Sequence, residues 1–372
     1  MLHAVCNIMK ILFVNNFRGR GGGEEFLRDL LPGLIEKGSA IGLVCRPDTP
    51  LVAMFANSAI NLYPIHRNGL NALTSVVKTA KAIRDGQFEI IAIQRGHDII
   101  QAWIGAFLSG RKPKLIYTVQ VPEFIRSRFI LKRMKRIITI SRYIRDKIVT
   151  FSPEIASRVK IIYYGIDLSQ FNPTSVQRGI FRHRFSLPSS MPIIGTVGDL
   201  WKNQIEFLDA FYVIKKEIPH ARFALVASDA GSVSVDAFKK RAAELGLTDS
   251  LLWTGRLSKE EMSAFYADID LAISTHRKEG FGIWVLEALA MGAPVVSVNE
   301  GGIRDSLEGC PAGVLVDDGP RAMAAEIIRI LQDDALRRKM SKSGPQWVAE
   351  RFKRERMIGD YANYFESLQG LP

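Results

Sequence analysis

A chain of 372 residues is too long for one ordinary core and fits two domains of about 150 to 190 residues each. Its 47% hydrophobic and 24% charged residues describe a soluble globular protein, and no apolar run reaches the ~18 residues needed to cross a bilayer. Three scattered cysteines, Cys6, Cys45 and Cys310, form neither a disulfide framework nor a metal-ligand spacing and suit a reducing cytoplasm, while a net charge of +12 favours phosphate-bearing partners.

The N-terminal stretch MLHAVCNIMKILFVNN lacks a basic leader and a small-residue cleavage site, so the fold is expected to begin near Met9 and Lys10. From there, short apolar, β-branched runs alternate with segments of helical spacing. In the first half the predicted strands are Ile11–Val14, Ile41–Cys45, Ile90–Ile93, Leu115–Val119, Ile137–Ile140 and Ile161–Tyr164. In the second half they are Ile193–Val197, Phe223–Ala227, Leu251–Trp253, Leu271–Ser274, Val295–Val298 and Val314–Val316. Continuous apolar strands separated by helices mean parallel sheets covered on both faces. The fold class is therefore α/β, with two doubly wound, Rossmann-like domains expected to face a central cleft. The linker is placed between Gly165 and Pro192, a proline-rich stretch without clear periodicity. This gives a first domain over 1–187, a second over 188–345, and a final helix over 346–372 that packs back on the first.

Ligands of such sheets settle where the loops gather, beyond the carboxyl ends of the strands. One segment there carries unusual chemistry: RKEGFGIWVLEALAMGAPVVS, residues 277–297. Glu279 follows a strand, Gly280 and Gly282 strip a turn of side chains, and Glu287 sits about one turn inside the helix that begins near Ile283. Unpaired amides and a positive dipole end at a helix start seat phosphate, while a carboxylate accepts the paired hydroxyls of a ribose or sugar ring. A carboxylate among Val285, Leu286, Ala288 and Leu289 also needs a partner to offset its desolvation. Together these features describe a nucleotide-sugar site.

The same segment, extended to HRKEGFGIWVLEALAMGAPVVSVNEGGIRDSLEG, closely resembles the signature of the retaining glycosyltransferases of family GT4, which have the GT-B architecture. Glu279, Glu287, Gly292, Pro294, Val295, Val296, Gly301 and Gly302 all match. The resemblance extends through GGGEEFLRDLLPGLIEKG, KRIITISRYIRDKI, YYGIDLSQFNP and GDLWKNQIEFLDAF. It implies that Glu287 binds the ribose of the donor, that Glu279 binds the transferred sugar, and that the amides of Phe281, Gly282 and Ile283 touch sugar and diphosphate. Lys202 would neutralise the diphosphate, where negative charge grows as the sugar bond breaks. The donor would be a UDP-, GDP- or ADP-sugar, the configuration retained and no metal bound; no Asp-x-Asp motif stands beside a strand end to hold one. Gly22 and Gly23, opening the first helix, read either as a close-approach turn beside donor phosphate or acceptor, or as a plain tight turn.

Three positions depart from the family pattern. Gln120 replaces a histidine and can donate a hydrogen bond but carry no proton at neutral pH. Asp199 replaces an arginine that joins the lysine at the diphosphate, with Arg256, Arg277 or Lys278 as candidate replacements. Tyr164 stands where asparagine is common. His97, in a loop after a strand, is a candidate helper for the acceptor.

Residues 111–147 hold twelve Lys or Arg against Glu123 and Asp146, which places most of the excess charge in one tenth of the chain. On a helical wheel, residues 123–136 split imperfectly: Phe124, Ile130, Leu131 and Met134 share one side and six cations the other, with Ile125 and Phe129 interrupting the basic face. This reads either as a helix lying on an anionic membrane surface or as an ordinary amphipathic helix with a solvated face. Aromatics do not interleave this cluster as a nucleic-acid stacking platform requires, so no nucleic-acid partner is expected. The leading functional expectation is a hexosyltransferase of cell-envelope polysaccharide biosynthesis. It would move sugar from a nucleoside-diphosphate donor to a glycolipid, lipopolysaccharide or other glycan-precursor acceptor in the cytoplasm, with peripheral attachment to the inner membrane face. The alternative is a catalytically impaired relative that binds nucleotide-sugars or serves as a partner protein.

Overall fold

A computed structural model of the protein describes residues 8–18, 21–66, 72–121, 127–227, 233–317 and 319–369. It divides into two compact units, residues 1–165 with 354–372, and residues 166–353.

In the first unit the strands are β1 (Lys10–Asn15), β2 (Ala40–Cys45), β3 (Asn61–Pro64), β4 (Ile90–Ile93), β5 (Lys114–Val119), β6 (Arg136–Thr139) and β7 (Val159–Ile161). They form one parallel sheet in the order β3-β2-β1-β4-β5-β6-β7. In the second unit β8 (Ile193–Val197), β9 (Arg222–Val226), β10 (Leu251–Trp253), β11 (Leu271–Ser274), β12 (Val295–Val298) and β13 (Gly313–Val316) form another, in the order β10-β9-β8-β11-β12-β13. The central strands are buried along nearly their whole length, as β-branched runs must be when helices cover both faces. Each sheet reverses its winding once, between β1 and β4 and between β8 and β11. The loops that follow those four strands therefore gather at two switch points.

β3 is absent from the sequence expectation. It lies at the sheet edge, is only partly covered and ends in Pro64, so it carries no continuous apolar run. The strand expected at Ile161–Tyr164 lies earlier, at Val159–Ile161; Tyr164 instead turns its ring into the unit, donating its hydroxyl to Asp29 Oδ2 at 2.7 Å. Burial raises the Asp29 carboxyl pKa, and the Tyr164 hydrogen bond opposes that shift.

The chain leaves the first unit after Gly165, where the sequence reading put the boundary near 187. Segment 166–187 belongs to the second unit because Asp268, at the end of the helix Lys259–Asp268, accepts hydrogen bonds from the backbone N–H groups of Gly179, Phe181 and Arg182 (2.6, 2.8 and 3.2 Å). At the other end the chain returns after Lys353, which bridges to Ile166. The one long C-terminal helix expected is two. Asp334–Arg351 packs on Ile283–Ala290 in the second unit, and Arg354–Glu366 packs on Gly22–Glu36 in the first. The first of these approaches closely: a side chain at Gly344 would put its first carbon 2.6 Å from the Leu289 carbonyl oxygen. The helix that carries Glu287 is therefore clamped from behind.

Candidate active site

In the second unit the β8 and β11 loops meet. The loop after β8 runs through the turn Leu200–Lys202 into the helix Gln204–Glu217, and Lys202 Nζ lies 3.1 Å from Glu279 Oε2, from the loop after β11. Both side chains are mostly covered, at 23% and 15% exposure, so this contact is less screened than a surface ion pair. The other oxygen, Glu279 Oε1, accepts from the backbone N–H of Gly280 at 3.2 Å.

The turn Gly280–Gly282 is held by its carbonyls. Gly302 N donates to Glu279 O at 2.7 Å, and Ser306 Oγ donates to Phe281 O at 2.8 Å. Two glycines make this geometry accessible. Gly282 caps the helix Ile283–Ala290 at φ 83°, and Gly301 takes φ 73° with its Cα pressed on the turn. A side-chain carbon at Gly301 would meet Arg277 O, Glu279 O and Glu279 N at 2.8, 2.9 and 3.0 Å. Phe281 is buried edge-on against Phe352, with ring centroids 5.7 Å apart, and anchors the turn. Val285 N donates back to the capping Gly282 O at 3.0 Å, and the amides that open Ile283–Ala290 sit at the positive end of the helix.

Glu287 lies one turn into that helix, and its Oε2 accepts a 2.9 Å hydrogen bond from the Tyr266 hydroxyl. Tyr266 is fully buried, and burial together with the Glu287 charge raises its phenol pKa well above the ordinary value. The phenol therefore stays a donor and fixes the carboxylate. Nothing in the local sequence pointed to Tyr266, which lies 21 residues away on the helix Lys259–Asp268.

The remaining second-unit candidates separate. Arg256 is exposed beyond β10, at the sheet edge and two strands from β8. Arg277 is committed to Glu300 and, at 3.3 Å, to Glu206. Asp199 is exposed, and only its carbonyl oxygen engages this turn, accepting from Lys202 N at 3.0 Å.

In the first unit the switch point between β1 and β4 gathers a polar cluster. Asn15 Nδ2 donates to Glu24 Oε1 at 3.1 Å and to Gln94 Oε1 at 2.9 Å, and Arg95 Nη2 lies 3.1 Å from the same Glu24 oxygen. Gly22 is exposed at the helix start, whereas Gly23 is buried where a side-chain carbon would lie 2.9 Å from Arg95 Nη2 and 3.0 Å from Gln120 Oε1. Gly23, Gln120, Arg95 and Glu24 are thus brought together. Gln120 Nε2 and Glu24 Oε2 are both buried without a hydrogen-bond partner among the described residues. The sequence reading missed Glu24, Arg95, Asn15 and Gln94; the available signal was the strand end for Asn15, Gln94 and Arg95, and the first turn of the helix Gly22–Glu36 for Glu24. His97 is 42% exposed, with Nε2 3.4 Å from Asp98 Oδ1. Among the described residues, no group of three or more His, Cys, Asp or Glu side chains converges to hold a metal ion.

Two family models divide the chain between them: Glycosyltransferase Family 4 matches residues 20–170, and Glycosyl transferases group 1 matches residues 179–347. The chain belongs to glycosyltransferase family 4. Among curated relatives of this family 4 chain, the D-inositol 3-phosphate glycosyltransferase of Salinispora tropica is 29% identical over 222 residues, covering 56% of this chain and 46% of that protein. The GDP-mannose-dependent alpha-(1-6)-phosphatidylinositol monomannoside mannosyltransferase of Mycobacterium tuberculosis is 25% identical over 236 residues, covering 60% of each. The match spans about half the length of the inositol phosphate relatives. Among solved structures, HepE of Anabaena, in complex with UDP and glucose, superposes with a TM-score of 0.81 at 20% identity over 97% of this chain and 100% of that one, a likeness of fold.

Proposed function

We propose that this family 4 chain transfers a hexose from a nucleoside-diphosphate sugar to a glycan or glycolipid acceptor, with retention of configuration and without a metal ion. The observation that carries this reading is the Lys202–Glu279 pair at the β8/β11 switch point, beside a side-chain-free turn that opens the helix bearing Glu287. That arrangement supplies a cation and helix-start amides for a diphosphate, one carboxylate for sugar hydroxyls and another, fixed by Tyr266, for ribose. UDP in the HepE complex and GDP-mannose in the mycobacterial relative support a nucleoside-diphosphate donor, and phosphatidylinositol in the latter supports a lipid-linked acceptor. A UDP-, GDP- or ADP-sugar fits the same chemistry.

In the proposed reaction the bond between the anomeric carbon and the diphosphate oxygen breaks while Lys202 and the helix amides take up the developing charge. The acceptor hydroxyl bonds the anomeric carbon from the same face, and its proton passes to the departing phosphate oxygen. No side-chain base is then needed, which accommodates Gln120 in place of histidine. Glu24, Arg95 and Gly23 would border the acceptor. A lipid-linked acceptor would bring the protein to the inner face of a membrane. A thermal-shift panel of UDP-, GDP- and ADP-sugars should show one family of donors raising the melting temperature. Transfer from that donor to phosphatidylinositol or a phosphorylated glycan, with the product anomer read by NMR, completes the test. Donor binding with neither transfer nor donor hydrolysis would instead mark a nucleotide-sugar-binding protein without transferase activity.

A further inference from the structure

The basic segment does not form the single amphipathic helix that the sequence suggests. Residues 123–126 lie outside the described residues, the helix covers only Arg128–Lys132, and Arg136 already belongs to β6. Leu131 and Met134, expected on an outward apolar face, are buried. The apolar surface is supplied by other elements. The helix Ile99–Leu108 packs its inner side closely on Ala72–Gly86, where a side chain at Gly105 would lie 3.0 Å from Thr79 Cγ2. Its other side exposes Ile100, Trp103, Phe107 and Leu108. The neighbouring helix adds Leu73 and Val77, one turn apart, and Phe129 stands edge-on to Trp103 with centroids 6.3 Å apart. Seven of the ten large apolar side chains exposed among the described residues lie on these three helices, and Phe107 and Leu73 are each at least 80% exposed. Such a concentration is unusual for a surface facing only water.

Beside Trp103 and Phe107 opens a pocket of about 680 Å³ whose lining includes seven Lys or Arg side chains and no acid. Arg111, Lys112, Lys114 and Arg158 stand around it, and the Arg133 guanidinium lies against the Trp103 and Phe129 rings, 4.6 and 3.2 Å from their centroids. Glu154 in this region is already held by Lys132 at 2.9 Å, a hydrogen bond that draws its carboxyl down to about 2. We propose that this face of the first unit docks on an anionic phospholipid bilayer, with Phe107, Leu108, Leu73 and Val77 entering the acyl boundary and the pocket receiving a lipid phosphate. Charge complementarity selects an anionic surface, and the exposed aliphatic side chains Leu73, Val77, Ile100 and Leu108 select lipid over nucleic acid; the Trp103 and Phe129 rings beside them stand edge-on to each other under the Arg133 guanidinium rather than as a row of open faces for stacking bases. Lipid docking goes beyond the transferase reading and does not depend on it.

Vesicle flotation tests the proposal, using the full chain with phosphatidylcholine alone and with phosphatidylcholine and phosphatidylglycerol at roughly 7:3. Binding is expected only to the anionic vesicles and should weaken between about 0.1 M and about 0.5 M salt. The double variant Arg111→Glu/Lys112→Glu should lose at least about tenfold in vesicle affinity, since each cation contributes independently near the surface. Phe107→Ser, at an exposed site that does not endanger folding, should lose severalfold even at low salt. Both variants should keep the thermal shift given by the preferred donor nucleotide, so a failure of lipid docking is distinguishable from a failure of the donor site. Equal binding to neutral vesicles, unchanged affinity in both variants, displacement of the protein from vesicles by millimolar inorganic phosphate, or preference for an oligonucleotide over vesicles would each overturn it.

Discussion

Glu287 separates two quantities that a single substitution usually confounds. Glu287→Ala removes the acceptor of the Tyr266 hydroxyl, which is fully buried and 2.9 Å away. Leaving that hydroxyl without a partner costs about 1–3 kcal/mol of stability. In a folding unit of this size, that lowers the melting temperature by about 2–4 °C per kcal/mol. Under the proposed function, the same change would also delete the carboxylate contacts to the ribose hydroxyls. Hydrogen bonds to a charged group contribute about 1.5–3 kcal/mol each, so donor affinity should fall by about 100-fold or more. Glu287→Gln keeps one acceptor oxygen in place for Tyr266 while removing the charge. Its melting temperature should stay within about 1–2 °C of the parent, while affinity still falls about tenfold. Calorimetric titration with the preferred nucleotide and thermal unfolding of the three proteins give all the numbers. A folded Glu287→Ala variant with unchanged affinity would refute the placement of ribose at this helix. A Glu287→Gln variant destabilised as much as Glu287→Ala would refute the role given to Tyr266.

Other substitutions test neighbouring parts of the second unit. Lys202→Ala removes the cation of the Lys202–Glu279 pair, so nucleoside diphosphate affinity should fall about tenfold or more and turnover further, because the lost charge matters most as the leaving group departs; steady-state kinetics would show it. Gly301→Ala combines a positive φ with backbone atoms at 2.8–3.0 Å, so it should destabilise the unit by about 2 kcal/mol or more and disturb Glu279, read by thermal unfolding and donor titration. Burial pushes the thiol pKa of Cys45 up to about 12 and that of Cys310 up to about 11. Neither should react with a thiol reagent at pH 8 in the native protein, and both should appear on denaturation.

What the sequence determined here is what depends on neighbours along the chain. Apolar β-branched runs marked nearly every central strand, because burial on both sheet faces leaves a continuous pattern in five or six residues. The turn Gly280–Gly282 with Glu279 and Glu287 was legible because two carboxylates, two glycines and a helix start lie within nine residues. β3 escaped because an edge strand ending in proline has no such pattern, and the long basic helix was overcalled because a wheel drawn through residues 123–136 ignores the strand that claims Arg136. Strand order decided the rest. It sets Lys202 against Glu279 across 77 positions, joins Arg95 to Glu24 across 71, and puts Tyr266 behind Glu287. It also brings the apolar face of Ile99–Leu108 beside cations from β5, β6 and the loops near them. Such adjacency follows from which strands pair and where the winding reverses, and no local run of residues encodes it.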